Sequence, residues 1–282
     1  MALAPAQGGR IASFWRENES GPIDILVPMA DAPFPPEAWP KAGCYPLAPF
    51  SNRIRDGRFE FGGREIRLPA HPACPPHALH GFSQLRPWSL ALCGPAAAVM
   101  TYAHTPDAWP WAFTATQTVS LTPEGLTVDL AIRNDDPGSA MPVGLGLHPY
   151  LAIAQGDRIR FTATHEWAQD DAGCATASAP LPPGEVRYDR PHGPEGVTRY
   201  LSGWDGRAEI ARQDGGRVLI AGSGALDQLV FHTPDGGAYA CIEPVSHVAD
   251  AFNLAARDVP ATGIRTARPG ETVSGSMTLT LE

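Results

Sequence analysis

A chain of 282 residues with 43% hydrophobic and 18% charged residues can bury a sizeable core, which excludes global disorder. A net charge of −9 with no basic run argues against nucleic acid or an anionic membrane as partner, because phosphate backbones demand clustered Lys and Arg; a single phosphate held by one or two arginines stays open. Cys44, Cys74, Cys93, Cys174 and Cys241 are odd in number and widely spaced, so reduced thiols are expected rather than a zinc ribbon or a disulfide framework. No apolar leader-like run opens the chain, and no stretch approaches the roughly 18 apolar residues of a membrane span. The expectation is a soluble cytoplasmic protein.

Along the chain, Gly and Pro punctuate short alternating runs. Phe59 and Phe61, then Gly62-Gly63, then Ile66 and Leu68 predict a hairpin with a glycine turn. Over 113–121, Phe113, Ala115, Val119 and Leu121 share one face while Thr114, Thr116, Thr118, Ser120 and then Thr122 share the other. The alternation resumes at Leu126, Val128, Leu130 and Ile132 after Pro123-Glu124-Gly125. A period of two on both sides of a turn puts one face in the core. Further short strands are predicted at 159–161, 218–220, 229–231 and 277–281. The stretch 165–195 reads as a loop excursion over the surface, and 249–257 as one short helix. Many short strands with frequent turn signals predict an all-β protein, a large antiparallel β-sandwich, in a single domain over 1–282.

Four groups of residues carry chemistry. His148, in Gly146-Leu147-His148-Pro149-Tyr150, is expected near a strand end; imidazole titrates near neutrality and suits a general acid, the plain alternative being a hydrogen-bonded structural histidine. Glu243 follows the apolar run Tyr239–Ile242 and precedes Pro244. A carboxylate ending a buried strand is costly unless it is paired or functional. His77 and His80 stand three apart, but the prolines around them give a turn, not the helix face that a metal pair would need, so no metal is expected and hydrogen bonding to ligand oxygens suits His80 better. Arg53, after Asn52, offers a planar fork of donors for ring and hydroxyl oxygens. Trp88, Trp109 and Trp111 are candidates for an apolar face under a sugar ring, with the core as their alternative place.

The runs Pro49–Phe59, His80-Gly81-Phe82, Gly146–Tyr150 and Glu243-Pro244, in that order over about 45–255, resemble the aldose 1-epimerase (mutarotase) family. The resemblance implies the large antiparallel supersandwich of that family and interconversion of the α and β anomers of a free aldose, without metal or cofactor. It implies His148 as general acid and Glu243 as general base, with Arg53, His80 and Asn52 binding substrate. The family's aspartate before a Gly-Trp-Asp-Gly turn falls on Thr198 here, ahead of Gly203-Trp204-Asp205-Gly206, which weakens the usual preference for galactose or glucose; Asp205 and Asp227 are possible substitutes. The expected partner is a small sugar, and the protein a monomer or homodimer. Two other readings share the fold. A hexose-6-phosphate 1-epimerase would need extra arginines on the phosphate, Arg55 and Arg86 being candidates, and a non-catalytic carbohydrate-binding protein would not need a matched acid and base.

Overall fold

The alternation over 113–134 forms the longest hairpin of the protein. Phe113–Thr122 and Gly125–Asn134 pair antiparallel in continuous register, from Phe113 opposite Asn134 to Thr122 opposite Gly125. In this computed structural model, which describes residues 1–19, 21–189 and 195–282, that hairpin lies within a nine-stranded sheet. The carboxy-terminal strand Thr272–Leu281 pairs with Gly125–Asn134, and beyond it lie Arg217–Gly224, Arg207–Ala211, Arg158–Thr162 and Glu185–Tyr188. On its other side come Ala97–His104 and Ser89–Cys93.

A second nine-stranded sheet runs Ala2–Ala4, Arg10–Ser13, Cys44–Leu47, Gly146–Pro149, Cys241–Val245, Gln228–Thr233, Val197–Ser202, His165–Gln169 and Ala175–Pro180. Its central strand Gly146–Pro149 pairs with Cys44–Leu47 and Cys241–Val245, both far away in sequence, so no local pattern could announce those pairings. The two sheets share a core in which Val119, Val128, Leu130, Ile132, Met277 and Leu279 of one meet Leu147, Leu201, Leu229, Phe231 and Ile242 of the other, all essentially inaccessible to water. The all-β sandwich expected from the sequence is the fold observed.

The predicted strands at 159–161, 218–220, 229–231 and 277–281 all lie in the two sheets, and 249–257 contains the helix Ala251–Ala255. The hairpin at 58–67 closes through Gly62 (φ 59°) and Gly63 (φ 73°). A two-residue turn with both central residues left-handed matches the twist of its strands and demands glycine. The expectation for 165–195 is corrected. Its described part holds His165–Gln169 and Ala175–Pro180 at an edge of one sheet and Glu185–Tyr188 at an edge of the other. These edge strands are mostly exposed on both faces, so they carry no apolar alternation to read. Trp167, buried with its indole N–H donated to Ser202 Oγ at 2.6 Å, is the anchor. Residues 190–194 of that stretch fall outside the described residues.

Candidate active site

The period of two in the second sheet separates core from chemistry. In Cys241–Val245, Ile242 enters the core between the sheets, whereas Cys241 and Val245 belong to a second cluster on the other face, which Glu243 shares by its place between them. The same alternation brings Tyr45 and Leu47, from the strand beyond Gly146–Pro149, and Val230, from the strand on the other side, to that face, with Tyr200 one strand further. His148 stands opposite Tyr45 in register, Glu243 opposite Val230, and Val230 opposite Tyr200. Five adjacent strands therefore aim side chains into one place, where Trp39 and residues of the segment 248–254 join the cluster.

His148 Nε2 lies 3.4 Å from Glu243 Oε1. Both side chains are buried, His148 at 7% and Glu243 at 3% of their full exposure. Burial raises the Glu243 carboxyl from 4.5 to about 8, because a carboxylate loses its hydration there. Burial likewise drives the His148 imidazole well below its usual range, and the charges of His80, His232, Lys41 and Arg10 push the same way. Its Nδ1 is buried with no hydrogen-bond partner among the described residues, so nothing rewards the second N–H of an imidazolium. At neutral pH the resting pair thus holds one proton, on the carboxyl.

Aromatic rings fix the imidazole. His148 stacks against Tyr45 (centroids 4.7 Å apart) and Tyr150 (4.8 Å), and meets His80 edge-on at 5.3 Å. Tyr45 is covered by the guanidinium of Arg10 at 4.3 Å, and the Tyr150 hydroxyl accepts the Trp39 indole N–H at 3.2 Å.

The turns bearing Asn52 and His80 lock together. Asn52 donates its backbone N–H to His80 Nδ1 at 3.0 Å, and the His80 N–H is donated to the Asn52 carbonyl at 2.9 Å. With Nδ1 accepting, the neutral ring carries its proton on Nε2 and is a donor there. Burial first, then Arg53, holds His80 in that neutral form. Both residues sit in the left-handed region (φ 56° and 60°), a strained conformation that the surrounding bonds hold in place. Gly81 follows at φ 69°, where an added Cβ would stand 2.3 Å from the Ala48 carbonyl oxygen. His247 secures the same turn from beneath, accepting the Ser51 N–H at Nε2 (3.1 Å).

Arg53 reaches the Tyr200 hydroxyl at 3.4 Å, and that hydroxyl donates to the Gly173 carbonyl at 2.8 Å. Asn52 Oδ1 accepts from the Arg53 N–H at 2.9 Å. Thr198, two residues before Tyr200 on the same strand, pairs opposite His232, and their Oγ1 and Nδ1 are 2.9 Å apart. His77 faces elsewhere, accepting the Asp56 N–H, so the two histidines of that turn are not a metal pair.

Several expectations are corrected. Trp88, Trp109 and Trp111 lie in the core between the sheets and offer no sugar platform; Trp39 is the tryptophan at the site, edge-on to Tyr45, His71 and His80. Asp205 accepts from the Arg207 N–H and Asp227 is paired with Arg265, so neither replaces the missing aspartate. Arg55 is held by Asp170 and Asp250, and Arg86 by Asp107, so neither is free for a phosphate. Sequence reasoning missed Trp39, Tyr45, Tyr200 and His232. Tyr150 stood in a motif without a role. The parity of each strand relative to His148 and Glu243 was the usable signal for Tyr45 and Cys241, once those strands are known to be neighbours.

Among the described residues, His148, Cys241 and Glu243 place ligand-type atoms within 4.8 Å of one another. A cation there would have to strip protons from a thiol and a carboxyl that burial has both pushed up, so the trio is poorly suited to a resident metal. A surface cavity of about 520 Å³ is lined by Arg55, Arg58, Glu60, Glu65 and Arg257 and contains neither member of the pair.

A two-sheet β-sandwich, one sheet of which holds a buried carboxyl–imidazole pair among aromatic rings, is a galactose mutarotase-like protein in architecture. The model of the aldose 1-epimerase family matches residues 1–280, and the chain belongs to that family. It is 27% identical over 288 residues to the uncharacterized protein YphB of Escherichia coli K12, covering 98% of this chain and 93% of that one. A crystal structure from Escherichia coli K12, named as a candidate aldose 1-epimerase, superposes with a TM-score of 0.83 at 26% identity, covering 98% and 94% of the two chains. A galactose mutarotase-like protein of Clostridium acetobutylicum, at 21% identity and TM-score 0.81 over 99% and 91% of the chains, shares the fold.

Proposed function

We propose that this protein is an aldose 1-epimerase that interconverts the α and β anomers of an aldose by acid/base ring opening and closure. The observation that carries the reading is the buried His148–Glu243 pair, 3.4 Å apart and holding one proton between them. Moving that proton from carboxyl to imidazole runs against both shifts, the carboxyl being raised and the imidazole lowered by burial. It creates the carboxylate and imidazolium that the reaction needs, and sugar hydroxyls supply hydrogen bonds to both.

Glu243 then takes the proton of the C1 hydroxyl while His148 donates to the ring oxygen. The C1–O5 bond breaks, the open-chain aldehyde turns about C1–C2, and the two groups act in reverse on the other carbonyl face. Arg53 and the Nε2–H of His80 hold the sugar oxygens and stabilise charge developing on them. Asn52 fixes the His80 ring through its backbone N–H and the Arg53 backbone through its Oδ1, and Thr198 contributes a hydroxyl already shared with His232. The chemistry asks for no cofactor. A small sugar is the partner, and five free cysteines suit a reducing cytoplasm; among the described residues no helix is long and apolar enough to cross a membrane.

The test is anomer exchange by saturation-transfer NMR over a panel of aldoses, with Glu243→Gln as the blank. Acceleration lost in the blank is expected. Saturable sugar binding with unchanged exchange would instead mean a non-catalytic binding protein.

A further inference from the structure

The charge lining this site runs against the charge of the protein. The chain carries −9 overall, and Lys41 is its only lysine among 21 Lys and Arg residues. That lysine stands over the Trp39 ring, its Nζ 5.1 Å from the centroid, and Trp39 in turn meets His71 and His80 edge-on. Lys41 and Arg53 both bear electrostatically on His71, His80 and His232. Among the described residues, no carboxylate forms a salt bridge with Lys41, Arg53 or the buried Arg10 behind Tyr45.

The acids nearby do not offset them. Asp170 and Asp250 are turned to Arg55, Glu37 is exposed and bears on His71, and Glu243 is itself kept protonated. Where the related motif has a carboxylate, Thr198 and His232 stand instead. Sugar hydroxyls both donate and accept, but a neutral sugar carries no charge to match the cations and N–H donors that this site offers beside its one carboxyl.

We propose that the physiological substrate is an anionic aldose, one bearing a carboxylate or phosphate group, which Lys41 and Arg53 hold by charge-assisted hydrogen bonds. This deepens, and rests on, the epimerase reading of the same site. The single lysine matters because an ammonium on a flexible stem can follow a charged substituent while Arg53 holds the ring. Among the described residues no carboxylate pairs with either cation, so the substrate's own charge completes the site.

The test measures both binding, by calorimetry, and anomer exchange for glucose, galactose, glucose 6-phosphate, glucuronate and galacturonate. At least one anionic sugar is expected to bind about tenfold or more tighter than its neutral parent, with an advantage that shrinks as salt is raised. The phosphate and uronate arms say which anion is meant. Lys41→Met should remove most of that advantage, and Lys41→Arg should keep it. Neutral parents that bind as tightly as every anionic sugar would overturn the proposal, as would a preference that Lys41→Met leaves unchanged. Selective anion binding without exchange supports the charge inference and sinks the epimerase reading, whereas exchange confined to neutral sugars does the opposite.

Discussion

Replacing Glu243 by Gln should abolish anomer exchange and yet stabilise the fold, increasingly so as pH rises. The folded carboxyl titrates near 8 and the unfolded one near 4.5, because the site strips its hydration without a resting cation beside it. Between those values the native state binds the proton that the unfolded state releases, so stability is full below pH 4.5 and is lost as pH climbs through 8. The loss grows by about 1.4 kcal/mol per pH unit, reaching about 3 kcal/mol at pH 7 and about 5 at pH 9. Gln has the same shape and no charge, so Glu243→Gln removes this penalty; its extra amide N–H takes back about 1 kcal/mol at every pH. Urea unfolding of both proteins at pH 5, 7 and 9 reads the difference. The expected pattern is near equality at pH 5 and a clear advantage for the variant at pH 9. A variant less stable than the wild type at pH 9 would refute the reasoning, since it would mean that His148 already holds the carboxylate as an ion pair. A function that costs stability at its own site is the trade-off expected of a buried acid/base pair.

Other outcomes follow from the same geometry. His148→Asn should lower exchange by about 10²–10⁴-fold, the usual worth of a placed acid or base, with the unfolding midpoint little changed; turnover near wild type would remove His148 from the reaction. The pH–rate profile should be bell-shaped with its alkaline limb near 8, matching a carbon-13 titration of the Glu243 carboxyl, and its acid limb below 6.5; a carboxyl titrating near 4.5 in that NMR experiment would contradict both assignments. His247 is buried neutral, its imidazole pushed from 6.5 down to about 4, so it takes up a proton on unfolding. Stability should fall by about 3 kcal/mol as pH drops from 6.5 to 4, and unfolding of His247→Gln should show a shallower fall over that range. Thr198→Asp should tighten glucose or galactose binding and weaken any anionic sugar; calorimetry showing neither change would place Thr198 away from the substrate.

The sequence by itself determined the local architecture and most of the polar constellation. Alternation over 113–134, the glycine pair at 62–63 and the motifs around Asn52, His80, His148 and Glu243 depend on neighbours along the chain, and residues near in sequence reveal their period directly. Tertiary structure decided what those residues face. That Tyr45 stacks on His148, and that Trp39 rather than Trp88, Trp109 or Trp111 stands at the site, follows from strands paired across more than a hundred residues. The edge strands between 165 and 189 stayed hidden because a strand exposed on both faces needs no apolar period. Burial also decided the chemistry of protons: a glutamate and a histidine in a sequence carry ordinary affinities, and only the removal of water around both leaves one proton shared between them.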